Sequence, residues 1–155
     1  MNGVTRPQNI FYVTAESLEP YNRILCDRDG VLGHYGEPVH PHVARHVNGL
    51  IDDSPAHFSI VTNGSSDAEG INAEVIRTWP RIKQFPGVLK SMVTIPEESL
   101  LVTDSFSELL AARYVGINVF YLVDKFNPHP TERIFRNLTK PIKAPISNLI
   151  GINTT

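Results

Sequence analysis

The sequence predicts an α/β protein, a three-layer sandwich in which helices cover both faces of a central parallel sheet. Four short apolar runs recur along the chain, each followed by polar or turn-forming residues, at 24–26, 58–62, 100–103 and 119–123. Continuous apolar runs of this length are typical of parallel strands buried on both faces. Because segments with helical spacing lie between them, strands and helices alternate and right-handed crossovers are expected.

Helices are predicted between the strands from the spacing of apolar residues. The first follows Pro41, where apolar residues recur at 43, 47, 50 and 51. A second is predicted around residues 73–77, ending before Pro80, and a third around 109–113, ending at Gly116. A last short helix is expected over 132–138. Residues 1–140 are therefore predicted to form a single domain, and residues 141–155 an extended tail.

Composition excludes several classes of protein. The chain has 155 residues, of which 41% are apolar, and its 14 basic and 16 acidic residues give a formal charge of −2. This balance provides no broad positive field, so no nucleic-acid partner is expected. Cys26 is the only cysteine, which excludes a disulfide framework and favours a cytoplasmic protein. No run approaches the roughly 18 apolar residues of a membrane span.

The most informative segment follows the first apolar run, where Asp27 and Asp29 precede Gly30. Two carboxylates this close repel each other, so they are seldom placed at a strand end for stability alone. Bound Mg²⁺ would offset the repulsion and leave positions open for phosphate. One carboxylate could then attack phosphorus while the other transfers a proton. A polar turn is the competing interpretation, since Asp and Gly are common in turns.

Two further strand ends carry polar side chains. The second apolar run ends at Thr62 and Asn63, and the third ends at Asp104. Ligands of parallel α/β folds bind beyond the carboxyl ends of the strands. We therefore expect these side chains to meet the first pair of aspartates in one crevice.

In these motifs the chain resembles the haloacid-dehalogenase-like phosphatases over about residues 20–125. The first family motif, Asp-x-Asp-x-Val/Thr-Leu, corresponds to residues 27–32, and the second, an apolar strand ending in Ser or Thr, to residues 59–63. The fourth, Gly-Asp with an acidic residue four positions later, corresponds in spacing to 103–108, with Thr103 and Glu108 as substitutions. The resemblance implies the same α/β/α fold.

The resemblance also implies roles for individual residues. Asp27 would be the nucleophile that forms an aspartyl-phosphate, and Asp29 would protonate the leaving oxygen and then activate water. Mg²⁺ would be held by Asp27, Asp104 and the backbone carbonyl of Asp29, and Glu108 would reach the metal through water or orient a lysine. Thr62, with Asn63 and neighbouring N–H groups, would bind the phosphoryl oxygens.

The third motif of the family should supply a lysine that neutralises the phosphate. Lys83 is the first choice here, Lys90 the second and Arg81 the third, and each could equally be a solvated charge. Thr103 replaces a glycine of the motif, which would limit close backbone approach. Arg28, between the aspartates, could bind an anionic substrate in a bidentate manner or pair with a nearby acidic residue.

Spacing within the motifs leaves no room for a large cap domain. The layout resembles the capless branch that contains the phosphatidylglycerophosphate phosphatases, which implies a phosphate ester on a lipid headgroup or another bulky carrier. The alternatives are a capless phosphatase of a soluble nucleotide, sugar phosphate or phosphoprotein, and an inactive binding or scaffold protein with the same fold.

Other polar and aromatic residues have structural explanations that compete with functional ones. His40, His42 and His46 are expected to face solvent, because no Cys or carboxylate at suitable spacing completes a metal site. Trp79, Phe85 and Phe126 could form an apolar rim for a lipid, although core packing is the ordinary use of Trp. Basic residues near the C-terminus could support peripheral contact with an anionic membrane; they are Arg133, Arg136, Lys140 and Lys143.

Overall fold

The computed structural model describes residues 3–62, 64, 66–77 and 89–124. Its described residues form one parallel sheet with the strand order β1-β6-β5-β2-β3-β4. The strands are β1 (Val4–Thr5), β2 (Arg23–Asp27), β3 (His57–Thr62), β4 (Glu74–Arg77), β5 (Ser99–Thr103) and β6 (Asn118–Tyr121). The four strands predicted from apolar runs are confirmed as β2, β3, β5 and β6.

Helices connect the strands. They are α1 (Ala15–Leu18), α2 (Pro41–Asp53) and α3 (Phe106–Tyr114), with 3₁₀ helices at Ile10–Tyr12 and Pro96–Glu98 and a helical turn at residues 89–92. The helix predicted after Pro41 is confirmed as α2, and the one predicted before Gly116 is confirmed as α3. Gly116 ends that segment with φ +89°, a left-handed conformation that glycine adopts without strain.

Two apolar cores lie on opposite faces of the sheet. Ile24 and Cys26 of β2 point into one core, where Val43 and Val47 of α2 pack. Leu25, between them in sequence, points into the other core, which includes Leu109 of α3. Side chains of a strand alternate between faces, and β2 is buried on both. The predicted α/β sandwich with a central parallel sheet is therefore confirmed.

The helix predicted around residues 73–77 is wrong, because Glu74–Arg77 forms strand β4. β4 pairs in parallel with β3, with Val75 opposite Ile60 and Ile76 opposite Val61. Two adjacent β-branched residues suit this pleated surface better than a helix. β1 was not predicted, since two residues are too few to show an apolar pattern.

Several predicted features lie outside the described residues. They are the helix over 132–138, the tail from Pro141, the aromatic residues Trp79, Phe85 and Phe126, and the basic residues Arg133, Arg136, Lys140 and Lys143. Within the part that is described, no helix is long and apolar enough to cross a membrane.

Candidate active site

Strand register brings three polar strand ends together at the carboxyl edge of the sheet. Asp27, at the end of β2, pairs with Val61 of β3, one residue before Thr62. On the other side, Cys26 pairs with Val102 of β5, so Asp27 lies level with Thr103. Asp27, Thr62, Thr103 and Asp104 are all buried, with exposed fractions of 9% or less. The register therefore places the carboxyl ends of β2, β3 and β5 side by side.

The turn after β2 is closed by the backbone and is held against β5. Gly30 adopts φ +83° and its N–H donates to the carbonyl of Gly33 at 2.7 Å. The Asp104 carboxylate lies so close to Gly30 that Oδ1 would be 2.6 Å from an added Cβ, with Oδ2 closer still. No side chain other than hydrogen fits there. Asp104 therefore lies against the turn that carries Asp29.

Thr103 links two buried carboxylates. Its Oγ1 lies 2.5 Å from Oδ2 of Asp27 and 2.9 Å from Oε2 of Glu108. The same oxygen accepts the Ser105 N–H at 3.1 Å. Glu108 is only 5% exposed and lies in the first turn of α3. Because a hydroxyl has a single hydrogen, Thr103 can donate to only one of the two carboxylates at a time.

Thr62, the predicted phosphate ligand, lies at the end of β3 facing the next loop. Its Oγ1 accepts the N–H of Gly64 at 3.0 Å, which fixes the start of that loop. A Cβ on Gly64 would lie 3.1 Å from Oδ2 of Asp29 and 3.4 Å from the ring of Tyr35. The loop after β3 thus closely approaches the second aspartate. Asn63 lies outside the described residues.

Arg28 is almost completely buried, with 1% of its surface exposed. Its Nη1 donates to Oδ1 of Asp29 at 2.7 Å and to the carbonyl of His34 at 3.0 Å. Its Nε donates to the carbonyl of Asp67 at 3.0 Å, and its Nη2 donates to the carbonyl of Glu37. Of the two alternatives for Arg28, this geometry favours the ion pair, because little of the guanidinium remains accessible to a substrate.

The lysine of the third motif is not placed by the structure. Lys83 and Arg81 lie outside the described residues. Lys90 is exposed in the helical turn at 89–92, and it makes no hydrogen bond or ion pair with the residues that are described. Its role in binding substrate therefore stays a prediction.

The histidines of α2 have structural contacts instead of facing solvent freely. His40 caps the helix, its Nδ1 accepting the His42 N–H at 3.1 Å, and the two rings stack at 4.9 Å. Nε2 of His46 lies 3.0 Å from the carbonyl of Val13. All three side chains are half-buried, so the expectation that they face solvent is only partly correct.

Other titratable side chains near the sheet have structural roles. Burial, with the neighbouring charge of Asp27, raises the pKa of the Cys26 thiol well above its ordinary value. Cys26 is completely buried and packs as a small apolar residue of the core. At the β4 edge, hydrogen bonds from Ser59 and His57 lower the pKa of Glu74.

A metal ion would find hard oxygen ligands at this edge. Among the described residues, no group of three or more His, Cys, Asp or Glu side chains is arranged to hold a metal. Mg²⁺ is commonly bound by one or two carboxylates together with water and substrate phosphate. Asp27 and Asp104, with the main-chain carbonyl of Asp29, are oxygen donors near these strand ends that could serve as such ligands. These oxygen atoms are of the type that Mg²⁺ prefers. Two other carboxylates are already paired, because Glu108 is hydrogen-bonded to Thr103 and Asp29 to Arg28.

The sequence pattern did not indicate Arg77, which holds the loop beside the site. Arg77, at the end of β4, donates to the carbonyls of Gly64 and Ser66 at 2.7 and 3.3 Å and pairs with Asp67. It therefore secures the loop that approaches Asp29. The Asn-Gly pair after β3 indicates a turn, but nothing in the pattern identifies a distant arginine that holds it.

The comparisons with known proteins identify no family for this chain. No protein-family model and no curated protein matches the chain. One solved structure that resembles it is a Vibrio cholerae protein assigned as a 3-deoxy-D-manno-octulosonate 8-phosphate phosphatase. The two are 17% identical, the match covers 78% of this chain and 74% of that one, and the TM-score is 0.49.

Proposed function

We propose that this chain is a Mg²⁺-dependent phosphatase that hydrolyses a phosphomonoester through an aspartyl-phosphate on Asp27. The observation that carries the proposal is the contact between the Asp104 carboxylate and Gly30. It joins the acidic end of β5 to the turn that follows Asp27 and carries Asp29, although these segments are far apart in sequence. Carboxylates at the ends of two neighbouring strands, one of them packed against the turn that follows the other, favour a cation and a phosphoryl group over a simple polar turn.

The chemistry divides between the two aspartates of the first motif. A carboxylate oxygen of Asp27 attacks phosphorus, and the bond to the ester oxygen breaks with its electron pair on that oxygen. Asp29 donates a proton to the leaving oxygen. Asp29 then removes a proton from water, whose oxygen attacks phosphorus and releases Asp27 and inorganic phosphate.

Bound Mg²⁺ would offset the repulsion between an anionic nucleophile and an anionic phosphate. Asp27, Asp104 and the carbonyl of Asp29 would hold it. Thr103 helps to orient Asp27, because its hydroxyl lies 2.5 Å from Oδ2 and restricts the rotation of that carboxylate. The lysine of the third motif would be Lys83 or Lys90.

A phosphate ester on a lipid headgroup or another bulky carrier is the substrate class that we favour. The connections after β2 and β3 span residues 28–40 and 63–73, too short for a cap domain. Two exposed aromatic residues follow strands of the site, Tyr35 at 75% and Phe106 at 43% exposure. Such side chains could contact an apolar carrier. Peripheral contact between a cytoplasmic protein and a membrane would fit this substrate.

A soluble phosphate ester is the competing substrate, and an inactive scaffold is the competing function. Purified protein should release phosphate from p-nitrophenyl phosphate in the presence of Mg²⁺. This hydrolysis should stop when a chelator is added, and it should be absent in Asp27→Asn. Absence of metal-dependent turnover would favour the scaffold. Parallel assays with phosphatidylglycerophosphate in mixed micelles and with soluble esters then test the substrate class, and a strong preference for soluble esters would contradict the lipid proposal.

A further inference from the structure

Among the described residues, Asp29 is hydrogen-bonded through one of its two carboxylate oxygens, Oδ1. Oδ1 accepts from Nη1 of Arg28 at 2.7 Å. Oδ2 lies on the side of Gly64, 3.1 Å from where a Cβ on that glycine would be. The side chain of Asp29 is 17% exposed, whereas that of Arg28 is 1% exposed. One oxygen therefore faces a buried cation, and the other faces the loop after β3.

Arg28 is itself fixed by the main chain of two loops. Beyond Asp29 it donates to the carbonyls of His34 and Glu37 in the loop after β2. It also donates to the carbonyl of Asp67 in the loop after β3. A planar guanidinium that is bound on three sides has little rotational freedom. The carboxylate that it holds is therefore also restricted in rotation.

We infer that Arg28 is a positioning residue that fixes Asp29 through Oδ1 and thereby presents Oδ2 as the oxygen that exchanges protons with the substrate and with water. This inference rests on the proposed function, and it adds an assignment of the proton-transferring oxygen. In the first step the Oδ2–H bond breaks as the proton moves to the leaving oxygen, while Oδ1 stays paired with Arg28. In the second step Oδ2 accepts a proton from the attacking water.

The effect of replacing Arg28 should depend on the leaving group of the substrate. A leaving oxygen that is a poor anion needs the proton of Asp29, whereas a strongly acidic phenol leaves without it. Replacing Arg28 by Met should lower kcat/KM for phenyl phosphate by about 100-fold, the usual size of general acid catalysis. For 2,4-dinitrophenyl phosphate the loss should stay below about 10-fold. The ratio of the two values is independent of how much of the preparation is folded.

Arg77→Met is the matched control. Arg77 holds the same loop through Gly64, Ser66 and Asp67, but it has no hydrogen bond to Asp29. A purely structural disturbance of the loop should therefore lower both kcat/KM values by a similar factor. We expect the ratio for Arg77→Met to match that of the unmodified protein.

A second variant keeps the test valid if Arg28→Met does not fold. Gly64→Ala retains the buried cation but places a methyl group 3.1 Å from Oδ2 of Asp29. It should reproduce the selective loss with phenyl phosphate. Equal losses with both esters in the folded variants would overturn the assignment of Oδ2 while leaving the phosphatase proposal intact. Failure of the unmodified protein to hydrolyse either ester would instead refute the proposed function, and this inference with it.

Discussion

The carboxylate of Asp104 occupies the space that a side chain on Gly30 would need, with Oδ1 2.6 Å from the ideal Cβ position. Gly30 belongs to the turn after β2, and Asp104 follows β5, the neighbouring strand. This contact joins two motifs that are far apart in sequence. It also places a carboxylate next to the backbone that positions Asp29, which is the arrangement that the proposed metal site requires.

Gly30→Ala tests the close contact with Asp104. The new methyl group would collide with the carboxylate, and Ala at φ +83° is strained in addition. We expect a loss of unfolding free energy of about 2–4 kcal/mol from the two effects together. Urea denaturation measures it, and phosphatase activity should fall in the folded fraction.

Gly36→Ala is the control for backbone strain alone. Gly36 has φ +80°, but no atom of the described residues lies within 4 Å of its Cβ position. It should therefore cost only the strain of a left-handed alanine, about 1 kcal/mol. Equal destabilisation by the two substitutions would show that the contact between Gly30 and Asp104 contributes nothing.

Thr103→Val removes the hydroxyl between Asp27 and Glu108 while keeping the side-chain shape. Loss of the hydroxyl partner of a buried carboxylate should lower the free energy of unfolding by about 1–3 kcal/mol. Thr103→Ser retains the hydroxyl and should recover most of that loss, as well as activity. Urea denaturation of the pair is the measurement. If Ser behaves like Val, the hydrogen bonds of Oγ1 are not what stabilises this position.

Asp104→Asn should weaken Mg²⁺ binding, because it replaces one of the two carboxylates assigned to the metal. An affinity loss of about 10–100-fold or more is expected, since even indirect ligand contacts are worth that much. Isothermal titration calorimetry measures it. Asp53→Asn, at the exposed end of α2, should leave the affinity unchanged. An unchanged affinity in Asp104→Asn would remove this residue from the metal site.

Glu74 gives the fold a defined pH dependence. The Ser59 hydroxyl and then the His57 ring lower the pKa of Glu74 below its ordinary value of 4.5. A lowered pKa in the folded state stabilises the fold above the unfolded value, and that contribution disappears as pH falls through the folded value. As pH falls below about 4.5, the Tm of the unmodified protein should therefore decrease by more than the Tm of Glu74→Gln. Parallel Tm profiles would contradict the assignment.

Much of the fold could be predicted because apolar runs mark buried parallel strands. Residues 24–26 and 100–102 have no polar side chain, and both segments belong to central strands of the sheet. Glu74–Arg77 lies at the edge of the described sheet and is half-exposed, so its short pattern fits a strand or a helix. Pairing with β3 decides between them, and that pairing is not a local property of the sequence.

The site was predictable where position along a strand decides it. Asp27 and Asp104 follow apolar runs, and parallel strands place such ends together. The role of Arg28 was not predictable, because its partners are main-chain carbonyls of two loops whose paths depend on packing. The close packing at Gly30 was not predictable either, since the neighbouring group is the carboxylate of Asp104, far along the chain.

Trapping the phosphorylated intermediate tests the central claim most directly. Protein mixed with substrate and Mg²⁺ is quenched in acid, treated with borohydride and digested, so that an aspartyl-phosphate is reduced to homoserine and located by mass spectrometry. We predict conversion of Asp27 alone, dependent on substrate and metal. Turnover with Asp27 unmodified, or conversion at another aspartate, would contradict the account.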